Sequence, residues 1–224
     1  MLTQTEKQEK FDSYWQTRDL VKADLRSQQR SGLAYSLLKN KKGKLLDVGC
    51  GRGWNAMYFK EKGFDVEATD ISPEAVELTR QKGIKASVAD LEYRNINGLY
   101  DFILCLEVLQ FLNDPKQVLW KLADALEPGG EIIVSVPNEF HIIRRLKILF
   151  GFPDLGGYEA PHLRFFYPGE MERLARACGL TVIDILPVSI VPPNFIYLQK
   201  AGGILAGVFP GLFSLSTMLK LAKY

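Results

Sequence analysis

The sequence predicts an α/β protein with a mostly parallel sheet, and two observations lead to that expectation. Short apolar runs alternate with segments of helical character along most of the chain, which is typical of βαβ units. A glycine-rich turn follows the first run, and the second and third runs each end on an acidic residue. The chain has 224 residues, of which 47% are apolar, so we expect one domain over residues 1–224.

The N-terminal segment, residues 1–43, is predicted to be a helical cap. Apolar side chains recur at helical spacing from Thr5 to Asn40. Tyr14, Trp15 and Arg18 could close over a ligand bound further along the chain. Alternatively, the aromatic side chains only dock the cap onto the core.

The glycine turn lies in the stretch KLLDVGCGRGWN, from Lys44 to Asn55. Gly49, Gly51 and Gly53 permit a sharp turn and close approach of a ligand to bare backbone. Their spacing, G-x-G-x-G, differs from the G-x-G-x-x-G of dinucleotide folds. Asp47 would repel a pyrophosphate but attract an ammonium group, so a ligand with an amino-acid moiety fits better. Alternatively, the glycines only shape the turn between strand and helix, and no ligand binds there.

Two further strands, Phe64 to Asp70 and Ile84 to Asp90, are predicted to end at the same edge of the sheet as the glycine turn. Asp70 follows Gly51 by 19 residues, close to the separation of about 20 at which an acid accepts hydrogen bonds from a ribose. Asp90 could accept a hydrogen bond from an adenine amine. Each acid alone would also fit a turn or a helix cap.

The fourth and fifth strands are predicted at Tyr100 to Leu106 and at Glu131 to Val136. Between them, Pro115 should open a helix whose apolar face extends to Leu126. We expect the segment from Glu127 to Gly130 to form a sharp turn before the fifth strand.

Five segments in this order, LLDVGCGRG, TDIS, VADL, DFILCLEVLQFLNDP and LEPGGEIIVSVPN, resemble the class I S-adenosylmethionine-dependent methyltransferases of small-molecule type. The resemblance is strong from Lys44 to Asn138 and weaker from His162 to Leu186. It implies a Rossmann-like, seven-stranded sheet that is mostly parallel with an antiparallel last strand and has helices on both faces. It also implies S-adenosylmethionine as cofactor and methyl transfer to a small-molecule acceptor by direct displacement.

The resemblance also implies, position by position, which residues contact the cofactor. Asp70 would hold the ribose, Asp90 with Leu91 would meet the adenine, and the backbone of Leu106 would lie beside the amino group. The complete implied set is Asp47, Gly49, Cys50, Gly51, Asp70, Ile71, Asp90, Leu91 and Leu106.

The sequence departs from the family after the fourth strand. Relatives commonly have E-V-L-E-H there, whereas this chain has Glu107, Val108, Leu109, Gln110 and Phe111. A role tied to the second glutamate and the histidine therefore does not transfer, and no metal site is predicted. The first glutamate remains a candidate catalytic residue, and the phenylalanine is expected to form a pocket wall.

His162 is the other candidate catalytic residue. It begins an H-x-R-F-F segment that resembles one in many small-molecule members of the family. A neutral imidazole can accept a proton near pH 7, which suits a general base. A structural histidine that is hydrogen-bonded in a loop is the alternative.

An insertion over residues 139–166 is predicted to form a helical lid or substrate element above the strand ends. The stretch from His141 to Phe150 is basic and amphipathic. It could pack its apolar face on the protein as a lid, bind an acidic acceptor, or make a peripheral membrane contact. The residues assigned to the acceptor side are Tyr14, Phe111, His141 and Arg164.

The C-terminal part should supply a helix from Pro168 to Ala177, a strand from Leu180 to Leu186 and an antiparallel strand from Ser214 to Ala222. Between the two strands we predict an apolar loop. This loop could line the acceptor pocket, which suggests a lipid-like or isoprenoid acceptor, with a saccharide as a further option. A buried connection explains it equally well.

Charge and cysteine content exclude some classes of protein. The 28 basic and 26 acidic residues give no indication of nucleic-acid binding. Cys50, Cys105 and Cys178 lack metal-ligand spacing and are expected to be reduced and buried. The N-terminus lacks the apolar core of a signal peptide, and Gly202 to Leu215 is too short to span a bilayer, so a cytoplasmic protein is expected. The sequence does not determine an oligomeric state.

Two other function classes remain as rivals. One is a non-catalytic module or partner subunit that binds S-adenosylmethionine on the same fold. The other is a nicotinamide-dependent oxidoreductase, which the G-x-G-x-G spacing and the order of the later motifs argue against.

Overall fold

A computed structural model describes residues 3–17, 25–152 and 162–223 of the chain. Seven strands form one sheet in the order β3-β2-β1-β4-β5-β7-β6. The strands are β1 (Lys44–Val48), β2 (Asp65–Asp70), β3 (Lys85–Val88), β4 (Tyr100–Leu106), β5 (Leu126–Pro137), β6 (Leu180–Ser189) and β7 (Ser214–Lys223). The first five strands pair in parallel, and β7 is antiparallel to β5 and β6. The predicted fold class is therefore confirmed.

Helices cover both faces of the sheet, as buried parallel strands require. One apolar cluster packs helices α5 and α7 against the sheet, and another packs α2, α3 and α4 against the opposite face. The described helices are α1 (Gln4–Thr17), α2 (Leu25–Leu37), α3 (Trp54–Glu61), α4 (Pro73–Arg80), α5 (Pro115–Asp124), α6 (Ile142–Leu149), α7 (Pro168–Ala177), α8 (Ile196–Val208) and α9 (Pro210–Phe213).

Local sequence signals set the starts of two helices. The Ser72 side chain accepts a hydrogen bond from the backbone of Ala75 at 3.1 Å, and Pro73 begins α4. Asp114 likewise caps α5, which begins at Pro115. Both helices start where the sequence predicts, because a polar cap followed by proline is compatible with only the first helical turn.

Within the described residues, the stretch predicted to be helical from Thr5 to Asn40 contains α1 and α2. Residues 18–24, and with them the predicted contact of Arg18, lie outside the described residues. The expected reduced, buried state of Cys50, Cys105 and Cys178 is confirmed, since all three are buried free thiols.

The predictions for residues 126–130 have two outcomes. Leu126 begins β5 and pairs with Tyr100 of β4 rather than closing the apolar face of a helix, so that prediction was wrong. The next pair joins Glu131 to Phe102, so the segment from Glu127 to Gly130 has no partner in β4 and interrupts the pairing, with Gly129 at a φ angle of 80°.

The prediction of an apolar loop between the last two strands was also wrong. This part of the chain continues β6 to Ser189 and then forms α8 and α9. Pro210 does not interrupt a helix but occupies the first turn of α9. Gly202 is retained inside α8 because a Cβ there would meet Val191 at 2.4 Å.

The insertion contains helix α6, which His141 caps by accepting a hydrogen bond from the Arg144 backbone at 3.4 Å. Against the described part of the chain, α6 buries none of its residues, so the expected packing of its apolar face as a lid is not observed. Residues 153–161 of the insertion lie outside the described residues. Within the ranges that the structure describes, no helix is long and apolar enough to cross a bilayer.

Candidate active site

The carboxyl ends of β1, β2, β3 and β4 meet at one crevice that contains two adjoining cavities. The larger, of 560 Å³, lies over the glycine turn and extends to His162. The smaller, of 120 Å³, lies between Asp70 and Asp90. The two cavities share five lining residues, which are Phe11, Trp15, Gly49, Glu107 and Phe111.

The three glycines of the turn are required by its backbone conformation and also by the close approach of neighbouring side chains. Gly49, Gly51 and Gly53 have φ angles of 66°, 51° and 71°, in the left-handed region that favours glycine. A Cβ on Gly49 would lie 2.4 Å from Val108, and one on Gly51 would lie 2.6 Å from the Trp15 ring. The alternate glycines therefore have a structural reason in addition to any role in binding.

Asp47 lies beneath the turn and lines neither cavity. It is fully buried, and one carboxylate oxygen accepts a hydrogen bond from the backbone of Ala56 in α3 at 3.1 Å. Its Oδ1 atom has no hydrogen-bond partner in the described ranges. Burial, followed by the charge of Asp70, raises the pKa of Asp47 to about 7.

Asp70 joins the glycine turn to the end of β2. Its Oδ2 atom accepts from the Gly51 backbone at 2.9 Å, and its Oδ1 atom accepts from the Ser72 backbone at 3.0 Å. Burial raises the pKa of Asp70 above its usual value. Asp70 lines the smaller cavity together with Ile71, so its carboxylate is present at the cavity wall.

Asp90 occupies the opposite side of the smaller cavity. Its Oδ1 atom accepts a hydrogen bond from the Glu92 backbone at 2.9 Å. The buried Oδ2 atom has no partner among residues that the structure describes. The loop that carries Asp90 and Leu91 is anchored by Lys121, whose ammonium donates to the Leu91 carbonyl at 2.8 Å.

Helix α1 closes this crevice from above. Lys7 forms a buried ion pair with Glu92, and Asp12 accepts a hydrogen bond from the hydroxyl of Ser72. Glu92 also accepts from the Asp114 backbone at 2.8 Å. The aromatic side chains of α1 that line the larger cavity are Phe11, Tyr14 and Trp15.

His162 lies at the far end of the larger cavity. Its Nδ1 atom contacts Glu139, which also pairs with Arg144, and its ring packs edge-on against Phe111 at 5.1 Å. Burial lowers the pKa of His162 below its usual value, so the imidazole is neutral at pH 7. With Nδ1 directed at Glu139, Nε2 is the nitrogen available to accept a proton.

Glu107 and Gln110 complete this end of the site. Glu107 has a φ angle of 60°, uncommon for a residue with a side chain, and accepts from the Ser135 hydroxyl at 2.9 Å. Gln110 is buried and donates to the Glu107 carbonyl at 2.9 Å. The Gln110 carbonyl accepts from the backbones of Leu163 and Arg164, which holds the segment after His162 in place.

The structure brings together most of the residues predicted from sequence. Gly49, Cys50, Gly51, Leu106, Glu107, Tyr14, Phe111 and His162 line the larger cavity, and Asp70, Ile71, Asp90 and Leu91 line the smaller one. Two predicted acceptor residues line neither. His141 caps α6, and the exposed Arg164 donates to the Asn113 carbonyl at 2.6 Å because its backbone is held by Gln110.

Sequence reasoning missed three carboxylate and amide groups of the site, those of Glu92, Gln110 and Glu139. Glu92 and Glu139 act through partners distant in the chain, Lys7 and His162, whereas the Gln110 amide donates to the nearby Glu107 carbonyl. Only the departure from E-V-L-E-H drew attention to position 110, and no pattern distinguishes Glu139 from a surface acid.

Comparison with known proteins gives one family and many relatives. A family model described as a methyltransferase domain matches residues 17–185. The chain is 30% identical over 169 residues to a ubiquinone biosynthesis O-methyltransferase of Vibrio parahaemolyticus, covering 69% of this chain and 70% of the relative. It is 28% identical over 179 residues to the enzyme of the same name from Pseudomonas aeruginosa, covering 73% and 72%.

Solved structures show the same fold. Magnesium protoporphyrin IX methyltransferase from Synechocystis PCC 6803, with bound S-adenosylhomocysteine, has a TM-score of 0.71 at 19% identity and covers 99% of this chain and 100% of its own. A 1,6-didemethyltoxoflavin-N1-methyltransferase from Burkholderia thailandensis has a TM-score of 0.66 at 19% identity, with 100% and 91% covered.

The raised pKa of Asp47 predicts a pH-dependent stability. Between about pH 4 and 7, the unfolded chain has released this proton while the folded chain retains it, so raising the pH destabilises the fold by roughly 1 kcal/mol per unit. Above about pH 7 both states are ionised and the effect is constant. Asp47→Asn should remove this contribution.

Urea unfolding of the ligand-free protein at several pH values measures the effect. The stability of Asp47→Asn relative to wild type should rise from pH 5 to pH 7 and then level off. A difference that does not change with pH would contradict the assignment of a protonated carboxyl.

Proposed function

The chain belongs to the class I S-adenosylmethionine-dependent methyltransferases, and we propose that it methylates a hydroxyl group of a small, lipid-like acceptor. S-adenosylmethionine is the cofactor of this methyltransferase. Membership of this family excludes a nicotinamide-dependent oxidoreductase. A non-catalytic binding module is not supported either, because the curated relatives are enzymes. The observation that carries the proposal is His162, held by Glu139 in the wall of the larger cavity.

The residues of the crevice fit this cofactor. The unpartnered Oδ2 of Asp90 lies at the smaller cavity and suits the exocyclic amine of adenine. Asp47 is buried beneath the glycine turn and would act on the ammonium of the methionine part through its charge rather than by lining the cavity. Asp70 lines the smaller cavity, where its carboxylate would accept from the ribose hydroxyls. Ile71 and Leu91 supply apolar surface for the adenine ring. Gly49, Cys50, Gly51 and Leu106 line the larger cavity nearby and would contact the methionine part.

When bound, S-adenosylmethionine supplies a methyl group already activated by its sulfonium. The chain then needs only to align the acceptor and exclude water, and alignment can lower a barrier by about 7 to 11 kcal/mol in the best cases. The aromatic wall of Phe11, Tyr14 and Phe111 serves both purposes, since it holds an apolar ring and keeps water away.

His162 acts as the base in this proposal. It is neutral at pH 7 because burial lowers its pKa, and Glu139 fixes the ring so that Nε2 can face the acceptor. As the acceptor oxygen is methylated, its proton passes to Nε2. Glu107, which lines both cavities, orients the acceptor hydroxyl as a hydrogen-bond acceptor.

Two observations support a lipid-like hydroxyl acceptor. The relatives at 28–30% identity carry the name ubiquinone biosynthesis O-methyltransferase, which indicates oxygen as the methylated atom in those proteins. Aromatic side chains from α1 and from the turn after β4 line the acceptor cavity, and an aromatic or isoprenoid group would pack well between them.

The cofactor assignment predicts the effect of a substitution at the end of β2. Asp70→Asn removes the charge that the ribose hydroxyls would contact and should weaken S-adenosylhomocysteine binding by about 10- to 100-fold, since hydrogen bonds to charged groups contribute about 1.5–3 kcal/mol. Isothermal titration calorimetry measures this. Asp65→Asn, at the exposed start of the same strand, is the matched control. Unchanged affinity of Asp70→Asn would refute the assignment.

The acceptor proposal predicts which compounds are methylated. A catechol that carries a short isoprenoid tail should give a methyl ether, detected by mass spectrometry, at a kcat/KM at least about tenfold above that of the tail-free catechol. The aniline with the same tail is the control for nitrogen methylation. A preference for the aniline, or no effect of the tail, would contradict the proposal.

The catalytic assignment predicts different effects for the two histidines of the chain. His162→Gln should lower kcat by about 10²- to 10⁴-fold, the usual contribution of a general base, with S-adenosylhomocysteine affinity unchanged. His141→Gln is the control, because this residue caps α6 and lines neither cavity. Equal kcat values for His162→Gln and wild type would show that His162 has a structural role.

A further inference from the structure

Helix α8 exposes its large apolar side chains and buries its small residues. Gly202 and Ala206 are buried, whereas Ile196 and Tyr197 are 75% and 99% exposed. The helix cannot turn its large side chains inward, because it packs so closely on β6 that a Cβ on Gly202 would lie 2.6 Å from the Ser189 hydroxyl at the end of that strand. The close packing of the small residues against the protein therefore keeps the large apolar side chains on the exposed face of α8.

Helix α6 shows the same property. Leu149 is 75% exposed, Ile143 and Ile148 are about half exposed, and Phe150 and Phe152 continue the exposed apolar series beyond the helix. An apolar helix face of this kind in a water-facing position is typical of a surface that another body covers.

The chain segments that flank α6 and α8 meet at one point beside the active site. Asn138, at the end of β5, donates to the carbonyl oxygens of Pro210 and Ser214 at 3.2 and 2.9 Å, which joins the chain before α6 to the chain after α8. The next residue, Glu139, pairs with both His162 and Arg144 of α6. The start of α6 and the chain that follows α8 therefore lie next to the acceptor end of the larger cavity.

The charge of this surface indicates which kind of partner binds to it. Residues 140–152 and 190–213 contain four basic residues and no acidic residue, and one of the four, Arg144, is compensated by the adjoining Glu139. Three of the basic residues, Arg145, Lys147 and Lys200, are exposed. Exposed apolar side chains together with cations of one sign match an interface with anionic lipid headgroups. A second copy of the chain on the same face would bring like charges together, which disfavours a dimer.

We propose that α6 and α8 form a docking surface for an anionic phospholipid bilayer. The apolar side chains enter the boundary between headgroups and acyl chains, and the basic side chains contact the headgroups. This goes beyond the proposed function, because it does not depend on which atom or acceptor is methylated. For a lipid-like acceptor, it places the cavity that contains His162 beside the membrane from which the acceptor would come.

Vesicle flotation of the full chain tests the proposal. Wild type should float with phosphatidylcholine vesicles that contain about a quarter phosphatidylglycerol, should bind pure phosphatidylcholine less, and should be released by salt. The double variant Leu149→Ser/Ile204→Ser should lower the partition coefficient about tenfold or more. Trp120→Ser/Ile183→Ser, which changes two equally apolar exposed side chains outside α6 and α8, is the matched control.

The electrostatic part has its own pair of variants. Arg145→Gln/Lys200→Gln should lower binding to the anionic vesicles by about fivefold per charge, whereas Lys42→Gln/Lys116→Gln should not. Titration with S-adenosylhomocysteine verifies that every variant is folded, and this keeps a failure of docking separate from a failure of the methyltransferase site.

Two outcomes would overturn the proposal. One is wild-type protein that does not float with the anionic vesicles at low salt. The other is a wild-type dimer in sedimentation equilibrium that Leu149→Ser/Ile204→Ser dissociates, since this would assign the surface to a second copy of the chain.

Discussion

The hydrogen bond from the Gly51 backbone to the Asp70 carboxylate is the contact on which the candidate site depends. It joins the turn after β1 to the end of β2, and the other Asp70 oxygen accepts from Ser72 at the start of α4. The Ser72 hydroxyl in turn donates to Asp12 of α1. One carboxylate thus sets the relation between the glycine turn, the second strand and the helix that covers the crevice, and its burial makes these hydrogen bonds hard to replace by water.

The covering helix is fixed at a second carboxylate, Glu92. This side chain pairs with Lys7 and accepts from the backbone at Asp114, so it links α1 to the loop after β3 and to the start of α5. The aromatic wall between these two anchors belongs to both cavities, because Phe11 and Trp15 line each of them. The cofactor end and the acceptor end therefore share one wall, and a change in the position of α1 alters both.

Glu139 connects the acceptor end to the surface. It is buried, faces His162 on one side and Arg144 on the other, and follows directly after the Asn138 junction. A single acid thus orients the candidate base and holds the start of α6. This arrangement links the start of α6 directly to the candidate base.

The sequence alone determined the parallel sheet, the glycine turn and the acids at the strand ends, because apolar runs, positive φ angles and helix caps depend on neighbouring residues. It also marked His162 as the candidate base. Tertiary structure decided the partners of Glu92 and Glu139, the pairing that draws Leu126 into β5, and the helices after Ser189. These depend on contacts between residues distant in the chain, where packing outweighs local preference, and this is why α8 turns its large apolar side chains outward.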